Sequence, residues 1–299
     1  MSNDDNEYEL PQTTRTGPSR REFVAASAAV GLMAATAAEA AAESHVVETD
    51  VSVTTPDGTC DAAFFHPASG THPGVLIWTD IFGLRPTFRR MGRRLAASGY
   101  AVLVPNPFYR TQKAPVISEA DIAAFKFTDP ATRAKIQQWT GPMNAPGALE
   151  KDAQAHIAFL DAQSQVDRAR KIGTQGYCMG GPPVFRTCAQ VPDRVGAGAT
   201  FHGGGLVTDK PNSPHLLAPK IKARMYIAIA ASDDMTQPDA KDKLRQAFGS
   251  QAEVVVYPGS IHGWCVPDMP LRDGKPIYNK PDAERAWHKL LALYRSALL

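Results

Sequence analysis

Cysteine is scarce in this chain of 299 residues, and its four copies lie far apart, at positions 60, 178, 188 and 265. They form no C-x-x-C pair and no Cys/His spacing of the kind that holds zinc. We therefore expect no metal site and no other cofactor. A dithiol redox centre is the weakest of the functions considered below for the same reason.

Basic runs are missing as well, apart from a few residues near the N-terminus. The formal net charge is only +2, and 21% of the residues are charged, which is ordinary for a globular protein. Nucleic-acid binding needs a basic patch or stripe, and the sequence has none. We predict that nucleic acid is not a partner.

A long apolar run that could span a membrane is also absent. The nearest approach is an alanine-rich stretch ending near Ala42, which follows the paired arginines Arg20 and Arg21. With Ala-x-Ala sites at 38–40 and 40–42, it resembles a twin-arginine export signal. The alternative is an alanine-rich disordered or helical tail.

The export interpretation predicts a disordered start and signal over residues 1–42, with the twin-arginine translocon as a transient partner and no stable membrane anchor. The mature protein would then work in the bacterial periplasm. That compartment permits one disulfide, although the sequence does not specify which cysteines would pair.

The rest of the chain alternates between strand patterns and helix patterns. Residues 45–55 alternate with a period of two and are followed across the turn at 56–58 by a second strand pattern, which predicts an antiparallel hairpin at a sheet edge. Later apolar runs alternate with helices, which indicates a mostly parallel sheet with helices on both faces. The predicted strands are 74–78, 100–104, 171–177, 195–201, 223–230 and 253–257, and the main helices are 86–98, 148–163, 182–190, 238–248 and 281–298.

Six prolines interrupt residues 105–146 and break this alternation. Short helical pieces between prolines are typical of a cap or of elaborate loops above a site. No internal repeat or interdomain linker follows residue 42. The sequence therefore predicts one domain over residues 43–299, with a cap-like insertion at 105–146.

A sharp glycine-flanked turn follows the predicted strand at 171–177. It reads Gly176-Tyr177-Cys178-Met179-Gly180, and two prolines then suit the first turn of a helix. This is the layout of a nucleophile elbow, with a thiol in place of the usual hydroxyl. Cys178 is thus a candidate nucleophile, and the alternative is a buried structural cysteine.

An activating histidine and an acid are expected further along the chain, each after a strand. His262 follows the strand pattern at 253–257, and Asp233 and Asp234 follow the pattern at 223–230. His202 also follows a strand, but it precedes the acid. A histidine and a carboxylate in these loops can meet the thiol at the carboxyl end of a parallel sheet.

The hexapeptide Gly176-Tyr177-Cys178-Met179-Gly180-Gly181 resembles the elbow of the dienelactone hydrolase family of α/β hydrolases. The resemblance extends from about residue 46 to the C-terminus and implies an α/β-hydrolase fold. It also implies a triad of Cys178, Asp234 and His262, because the family's acid stands four residues before a proline. Asp233 would then be only a helix N-terminal charge.

Further roles follow from the same resemblance. The segment Thr79-Asp80-Ile81-Phe82-Gly83 resembles one in which a glutamate contacts the resting thiol, so Asp80 is expected beside Cys178. The backbone N–H groups of Met179 and Ile81 would bind the oxyanion. The implied reaction cleaves an ester or lactone through an acyl-thioester.

The substrate is less well indicated. Family members bind a substrate carboxylate with arginines, one of them four residues after the histidine, where this chain has Val266. Arg133 in the insertion and Arg110 are the candidates to replace it. An apolar wall is expected from Tyr177, Phe82, Trp264 and Trp139, unless these rings belong to the core.

Two other functions remain open at this point. The departures at Asp80 and Val266 are compatible with a non-catalytic protein that binds small ligands in the same pocket. A thiol redox protein is the third and weakest alternative. We expect a monomer or a small homo-oligomer that acts on a small ester or lactone.

Overall fold

The computed structural model describes residues 45–126 and 128–299. The predicted disordered start and export signal, residues 1–42, lie outside this range. Within it, eight strands form one sheet in the order β1-β2-β4-β3-β5-β6-β7-β8. The strands are β1 Val46–Thr55, β2 Gly58–Pro67, β3 Gly74–Trp78, β4 Ala101–Pro105, β5 Ile172–Tyr177, β6 Val195–Phe201, β7 Arg224–Ala230 and β8 Ala252–Tyr257.

The sheet is antiparallel at one edge and parallel elsewhere. β1 pairs antiparallel with β2 in a register that joins Thr55 to Gly58, and β2 pairs antiparallel with β4. The pairings from β4 through β3 and on to β8 are parallel. This confirms the predicted α/β-hydrolase fold, with its antiparallel hairpin at the N-terminal edge.

Helices cover both faces of the sheet. The helices are α1 Pro86–Ala97, α2 Glu119–Ala123, α3 Pro130–Met143, α4 Ala148–Ala162, α5 Gly181–Gln190, α6 Ala231–Thr236, α7 Ala240–Phe248 and α8 Lys280–Leu298. Each central strand is apolar on both faces, because each face has its own core. In β3, for example, Leu76 and Trp78 lie in one cluster of buried residues, whereas Val75 and Ile77 lie in the other.

The proline-punctuated insertion contains α2 and α3. Ser118 and Asp129 cap them by accepting hydrogen bonds from backbone N–H groups in the first turn. Trp139 of α3 is buried and packs against Phe108, with ring centroids 5.8 Å apart. The insertion therefore contributes side chains to the core of the molecule.

The carboxyl ends of parallel strands lie at one edge of a sheet. The segments after β3, β5, β6, β7 and β8 consequently meet there, and they carry the residues that the sequence singles out. One segment differs from the prediction. Residues 231–236 are expected to form a loop, but they form the short helix α6.

Candidate active site

The turn after β5 is a strained elbow with Cys178 at its apex. Cys178 has a φ of 52°, a left-handed conformation that is unfavourable for a residue with a side chain. A short 3₁₀ turn, Cys178–Gly180, leads directly into α5. Neither flanking glycine has room for a Cβ. A Cβ on Gly176 would lie 2.1 Å from the carbonyl oxygen of Gly180, and a Cβ on Gly180 would lie 2.5 Å from the carbonyl oxygen of Trp78. The backbone comes so close at both positions that only glycine fits there.

The glycine-rich loop after β6 supports the elbow from another side. The N–H of Gly204 donates to the carbonyl oxygen of Cys178 at 3.2 Å. A Cβ on Gly181 would lie 2.7 Å from the Cα of Gly203. The backbones of the elbow and of this loop are therefore in direct contact.

His262 meets the thiol, as the sequence predicts. Its Nε2 lies 3.0 Å from Sγ of Cys178, and its backbone N–H donates to Oγ of Ser232 at 2.9 Å. On the other side of the ring, Nδ1 lies 3.0 Å from each carboxylate oxygen of Asp233. The thiol, imidazole and carboxylate thus form one continuous chain of hydrogen bonds.

The carboxylate that contacts His262 is Asp233, not the predicted Asp234. Asp234 instead accepts a hydrogen bond from Nζ of Lys241 at 2.7 Å. Both aspartates lie on α6, where successive side chains point about 100° apart. Only one of the two aspartates can therefore face His262. The geometry of α6, a helix that the sequence does not predict, directs Asp233 to it.

The charges around His262 favour its protonated form. Burial by itself lowers the pKa of the imidazole, but hydrogen bonds to Asp233 and Cys178 and the charges of both groups outweigh it, so the pKa is raised. The imidazole is therefore held between the sulfur of Cys178 and the carboxylate of Asp233, at 3.0 Å from each.

Asp80 does not act as the thiol's partner, contrary to the prediction. Its side chain is only 1% exposed, and Oδ1 and Oδ2 accept hydrogen bonds from Arg85 at 2.7 and 2.9 Å. Oδ1 also accepts from the N–H of Phe82. This bidentate pair with a planar guanidinium fixes the Asp80 carboxylate in place. The thiol of Cys178 has its hydrogen bond with His262 instead.

Arg85 and its second partner, Asp268, were missed by sequence reasoning. Arg85 Nε and Nη2 donate to the two oxygens of Asp268, both at 2.7 Å. The only local signal was a charged residue next to Pro86 at the start of a helix. Nothing in the sequence pattern relates it to Asp268.

The two predicted oxyanion donors lie in neighbouring segments. A Cβ added to Gly180 would lie 2.5 and 2.7 Å from the carbonyl oxygens of Trp78 and Thr79, so the chain that leads to Ile81 passes directly beside the elbow that carries Met179. Ile81 is buried and Met179 is half-buried. The assignment of their N–H groups to an oxyanion remains a prediction.

One of the two predicted arginines, Arg110, is already paired with protein carboxylates. Arg110 is 10% exposed, and its guanidinium is engaged by Asp57 and Asp152 at 2.8 and 2.7 Å. Arg133 is exposed on α3. Arg110 is therefore an ion-paired structural residue, which corrects the prediction. Arg133 is a surface side chain of the insertion, and its role in substrate binding stays a prediction.

The predicted aromatic wall is core. Tyr177 stacks on Phe201 with centroids 4.9 Å apart, and Trp264 packs against Tyr257 at 4.4 Å. Phe82 is fully buried against Phe125. Tyr177, Phe82 and Trp264 are therefore packed inside the protein and do not form an open wall of the site.

His202 is a further residue that the prediction did not use. It is 1% exposed, has a φ of 41°, and its ring packs edge-to-face on His262 with centroids 5.0 Å apart. Burial and the charge of His262 lower the pKa of His202 well below its usual range. It therefore presents a neutral imidazole to His262.

A cavity of about 220 Å³ opens beside His262. Its apolar lining includes Leu206, Val207, Ile229 and Leu244, and its polar lining includes the Asp234–Lys241 pair. A small organic group fits a mixed lining of this kind.

Other features of the described residues bear on the predicted chemistry. All four cysteines are free thiols. In residues 45–126 and 128–299, no group of three His, Cys, Asp or Glu side chains is arranged to hold a metal ion. No helix in that part of the chain combines the length and the apolar character needed to cross a bilayer.

Comparisons with known proteins show what the chain is similar to. A model of the dienelactone hydrolase family matches residues 60–298. A protein of Methylorubrum extorquens is 28% identical over 300 residues, covering 94% of each chain. The carboxymethylenebutenolidase of Rhodococcus opacus is 26% identical over 217 residues, which are 69% of this chain and 77% of that protein.

A solved structure is similar in fold. A dienelactone hydrolase-like promiscuous phosphotriesterase from metagenomic libraries superposes with a TM-score of 0.66 at 24% identity. The match covers 85% of this chain and all of the other. At that identity the likeness concerns the fold alone.

Proposed function

The chain belongs to the dienelactone hydrolase family, and on that premise we propose that this hydrolase cleaves an ester or lactone with Cys178 as its nucleophile. One observation carries the proposal. His262 lies 3.0 Å from the thiol through Nε2 and 3.0 Å from Asp233 through Nδ1, so a nucleophile, a base and an orienting acid are in line. The strained elbow presents the sulfur next to a helix N-terminus, which also favours a thiolate.

The first half of the reaction forms an acyl-enzyme. The Cys178 thiolate attacks the carbonyl carbon, and the carbonyl oxygen becomes an oxyanion near the N–H groups of Met179 and Ile81. Collapse of this intermediate breaks the carbon–oxygen bond of the ester. The His262 imidazolium gives its proton to the departing alkoxide, which leaves a thioester on Cys178.

The second half releases the acid. Neutral His262 takes a proton from water, and the hydroxide attacks the thioester carbonyl. The carbon–sulfur bond breaks, the carboxylic acid departs, and Cys178 with His262 returns to the thiolate–imidazolium pair. Asp233 keeps the Nδ1 proton directed away from sulfur in both halves and stabilises the imidazolium.

We infer that the substrate differs from the carboxylate-bearing lactone cleaved by the best-known family members. The position four residues after His262 is Val266, which is fully buried, and Arg110 is occupied by two carboxylates. The cavity beside His262 has room for a small substituent of an ester, lactone or thioester. Small uncharged esters are therefore the first substrates to test.

The test compares the mature chain with three variants on p-nitrophenyl acetate and on a simple lactone. Cys178→Ala and His262→Ala should each abolish turnover, whereas Cys188→Ala, which removes a buried thiol that contacts Met225, should retain it. Full activity in either of the first two variants contradicts the proposal. So does a thiol-directed probe that fails to label Cys178 selectively at neutral pH, an outcome expected of a non-catalytic ligand-binding protein.

We also propose that residues 1–42 direct export through the twin-arginine route, because paired arginines precede a weakly apolar, alanine-rich stretch. Replacement of Arg20 and Arg21 by lysine should retain the full-length chain inside the cell. Fractionation of cells that express the two forms measures this. Equal amounts of processed protein in the periplasm would contradict it.

A further inference from the structure

We propose that Arg85 is a positioning residue. It links the segment that contains Ile81, the proposed oxyanion donor, to the loop that contains His262, the proposed base. The inference rests on the proposed hydrolysis, since it concerns the alignment of those two groups. Arg85 precedes α1 and contacts two carboxylates, Asp80 after β3 and Asp268 after β8. It touches no reacting atom.

The guanidinium of Arg85 is completely satisfied. An arginine has five N–H donors in a rigid planar fork. In this structure it makes five hydrogen bonds, two to Asp80, two to Asp268 and one to the carbonyl oxygen of Gly83, at 2.7 to 3.2 Å. A lysine has three donors and no fork, so it cannot reproduce this arrangement.

The hydrogen bonds of Arg85 are largely shielded from solvent. The Arg85 side chain is fully buried, and the rings of Phe82 and Phe88 lie 5.3 and 5.0 Å from its central carbon. The Asp268 side chain is 19% exposed. Burial raises the pKa of Asp268, but its hydrogen bonds to Arg85 and the charge of Arg85 outweigh this and lower it. The carboxylate of Asp268 is therefore held as an anion beside the Arg85 cation.

On the β3 side, the contact controls a tight turn. Asp80 accepts the N–H of Phe82 through its side chain and the N–H of Gly83 through its carbonyl oxygen. Ile81 is enclosed in that turn. Because the preceding residues, Trp78 and Thr79, lie against Gly180 of the elbow, fixing Asp80 also fixes the backbone of Ile81 relative to the nucleophile.

On the β8 side, a chain of turns leads from the base to the carboxylate. The N–H of Trp264 donates to Ile261, and the N–H of Val266 donates to Gly263. Trp264 and Val266 are completely buried, so this loop is anchored between His262 and Asp268. Holding Asp268 consequently holds the loop on which the imidazole sits.

The oxyanion donor and the base must both be aligned with one carbonyl group in the transition state. Displacement of such groups by about 1 Å can lower the rate by about 100-fold without loss of substrate binding. Arg85 links the two segments across 183 residues of sequence. Loosening it should therefore affect kcat more than KM.

The main test uses Asp268→Asn, because this partly exposed residue can lose its charge without leaving Asp80 unpaired. We expect kcat for p-nitrophenyl acetate to fall about tenfold, with KM changed less than about twofold. Arg85→Lys should lower kcat by a similar or larger factor. The double variant should lose little more than the worse single variant, because both changes break the same connection.

A matched control is available on the helix that follows Arg85. Arg94 of α1 makes a bidentate pair with Glu284 of α8, at 3.0 and 2.6 Å. Glu284→Gln should leave kcat within about twofold of wild type, although it too removes an arginine-bound carboxylate. All variants are assayed well below their melting temperatures, so that differences in unfolding do not enter kcat.

The outcomes separate this inference from the proposed function. If Cys178→Ala is inactive while Asp268→Asn keeps wild-type kcat and only melts earlier, Arg85 is merely structural and the inference is overturned. The inference also fails if Glu284→Gln lowers kcat as much as Asp268→Asn. If Cys178→Ala stays active, the proposed function itself fails. If Arg85→Lys does not fold, the comparison of Asp268→Asn with the control Glu284→Gln is sufficient to test the inference.

Discussion

Both carboxylate oxygens of Asp233 lie 3.0 Å from Nδ1 of His262, whereas the next residue, Asp234, pairs with Lys241 at 2.7 Å. Two identical side chains, adjacent in sequence, thus have different partners. The helix α6 separates their directions, and Lys241 holds the second one away from the imidazole. This relationship makes the role of the acid directly testable.

Asp233→Asn should lower kcat by a factor of about 10² to 10⁴, since an amide holds the imidazole in the wrong tautomer and does not stabilise its charge. Asp234→Asn is the matched control and should stay within about threefold. Steady-state kinetics on one activated ester measure both. A larger loss in Asp234→Asn than in Asp233→Asn would restore the family-based assignment.

Gly176→Ala should disrupt the elbow, because a Cβ there lies 2.1 Å from the carbonyl oxygen of Gly180. We expect a loss of roughly 1–3 kcal/mol in the free energy of unfolding and a strong loss of activity. Gly204→Ala, where a Cβ meets no atom within 4 Å, should be tolerated. Urea denaturation and kinetics on both variants check this, and equal effects would argue against a sterically restricted elbow.

Arg110→Met should destabilise the protein by about 3 kcal/mol, because it leaves the buried carboxylate of Asp152 without its cation. It should not change the ratio of kcat/KM between a neutral ester and an ester that bears a carboxylate. Arg133→Met, on the exposed face of α3, should change stability by less than about 0.5 kcal/mol. A changed substrate ratio in the first variant would return Arg110 to the binding site.

The stability contributed by His262 should depend on pH. Its pKa is raised on folding, from about 6.5 to about 10, so the folded protein binds the proton more tightly than the unfolded chain. The resulting stabilisation is fully present below about pH 6.5 and is lost as pH rises through the folded value. The difference in unfolding free energy between wild type and His262→Asn should therefore shrink from about pH 6 to about pH 10.

The measurement is urea denaturation of both proteins across that range. Taking the difference removes other groups that titrate there, such as tyrosines. A gap that widens as pH rises would mean that the imidazole is neutral in the folded state. In that case the thiol would be activated by His262 acting as a neutral base.

Sequence reasoning located Cys178 and His262 because each is marked locally. The first lies at a glycine-flanked corner after an apolar strand, and the second follows the last strand of an α/β alternation. It chose Asp234 as the partner of His262, whereas Asp233 makes that contact, because the direction of each side chain depends on a six-residue helix that has no periodic pattern in the sequence. It also assigned Tyr177 and Trp264 to the pocket, although an aromatic residue beside a catalytic motif is equally suited to the core.

The sequence by itself determined the order of strands and helices, the mostly parallel sheet and the sharp turn at Cys178, because these depend on local periodicity and on glycine and proline. Only the tertiary structure decided which charges meet. Asp80 pairs with Arg85, and Arg85 in turn with Asp268, 183 residues away. An ion pair depends on how loops from different strands are placed relative to each other, and that placement leaves no local pattern in the chain.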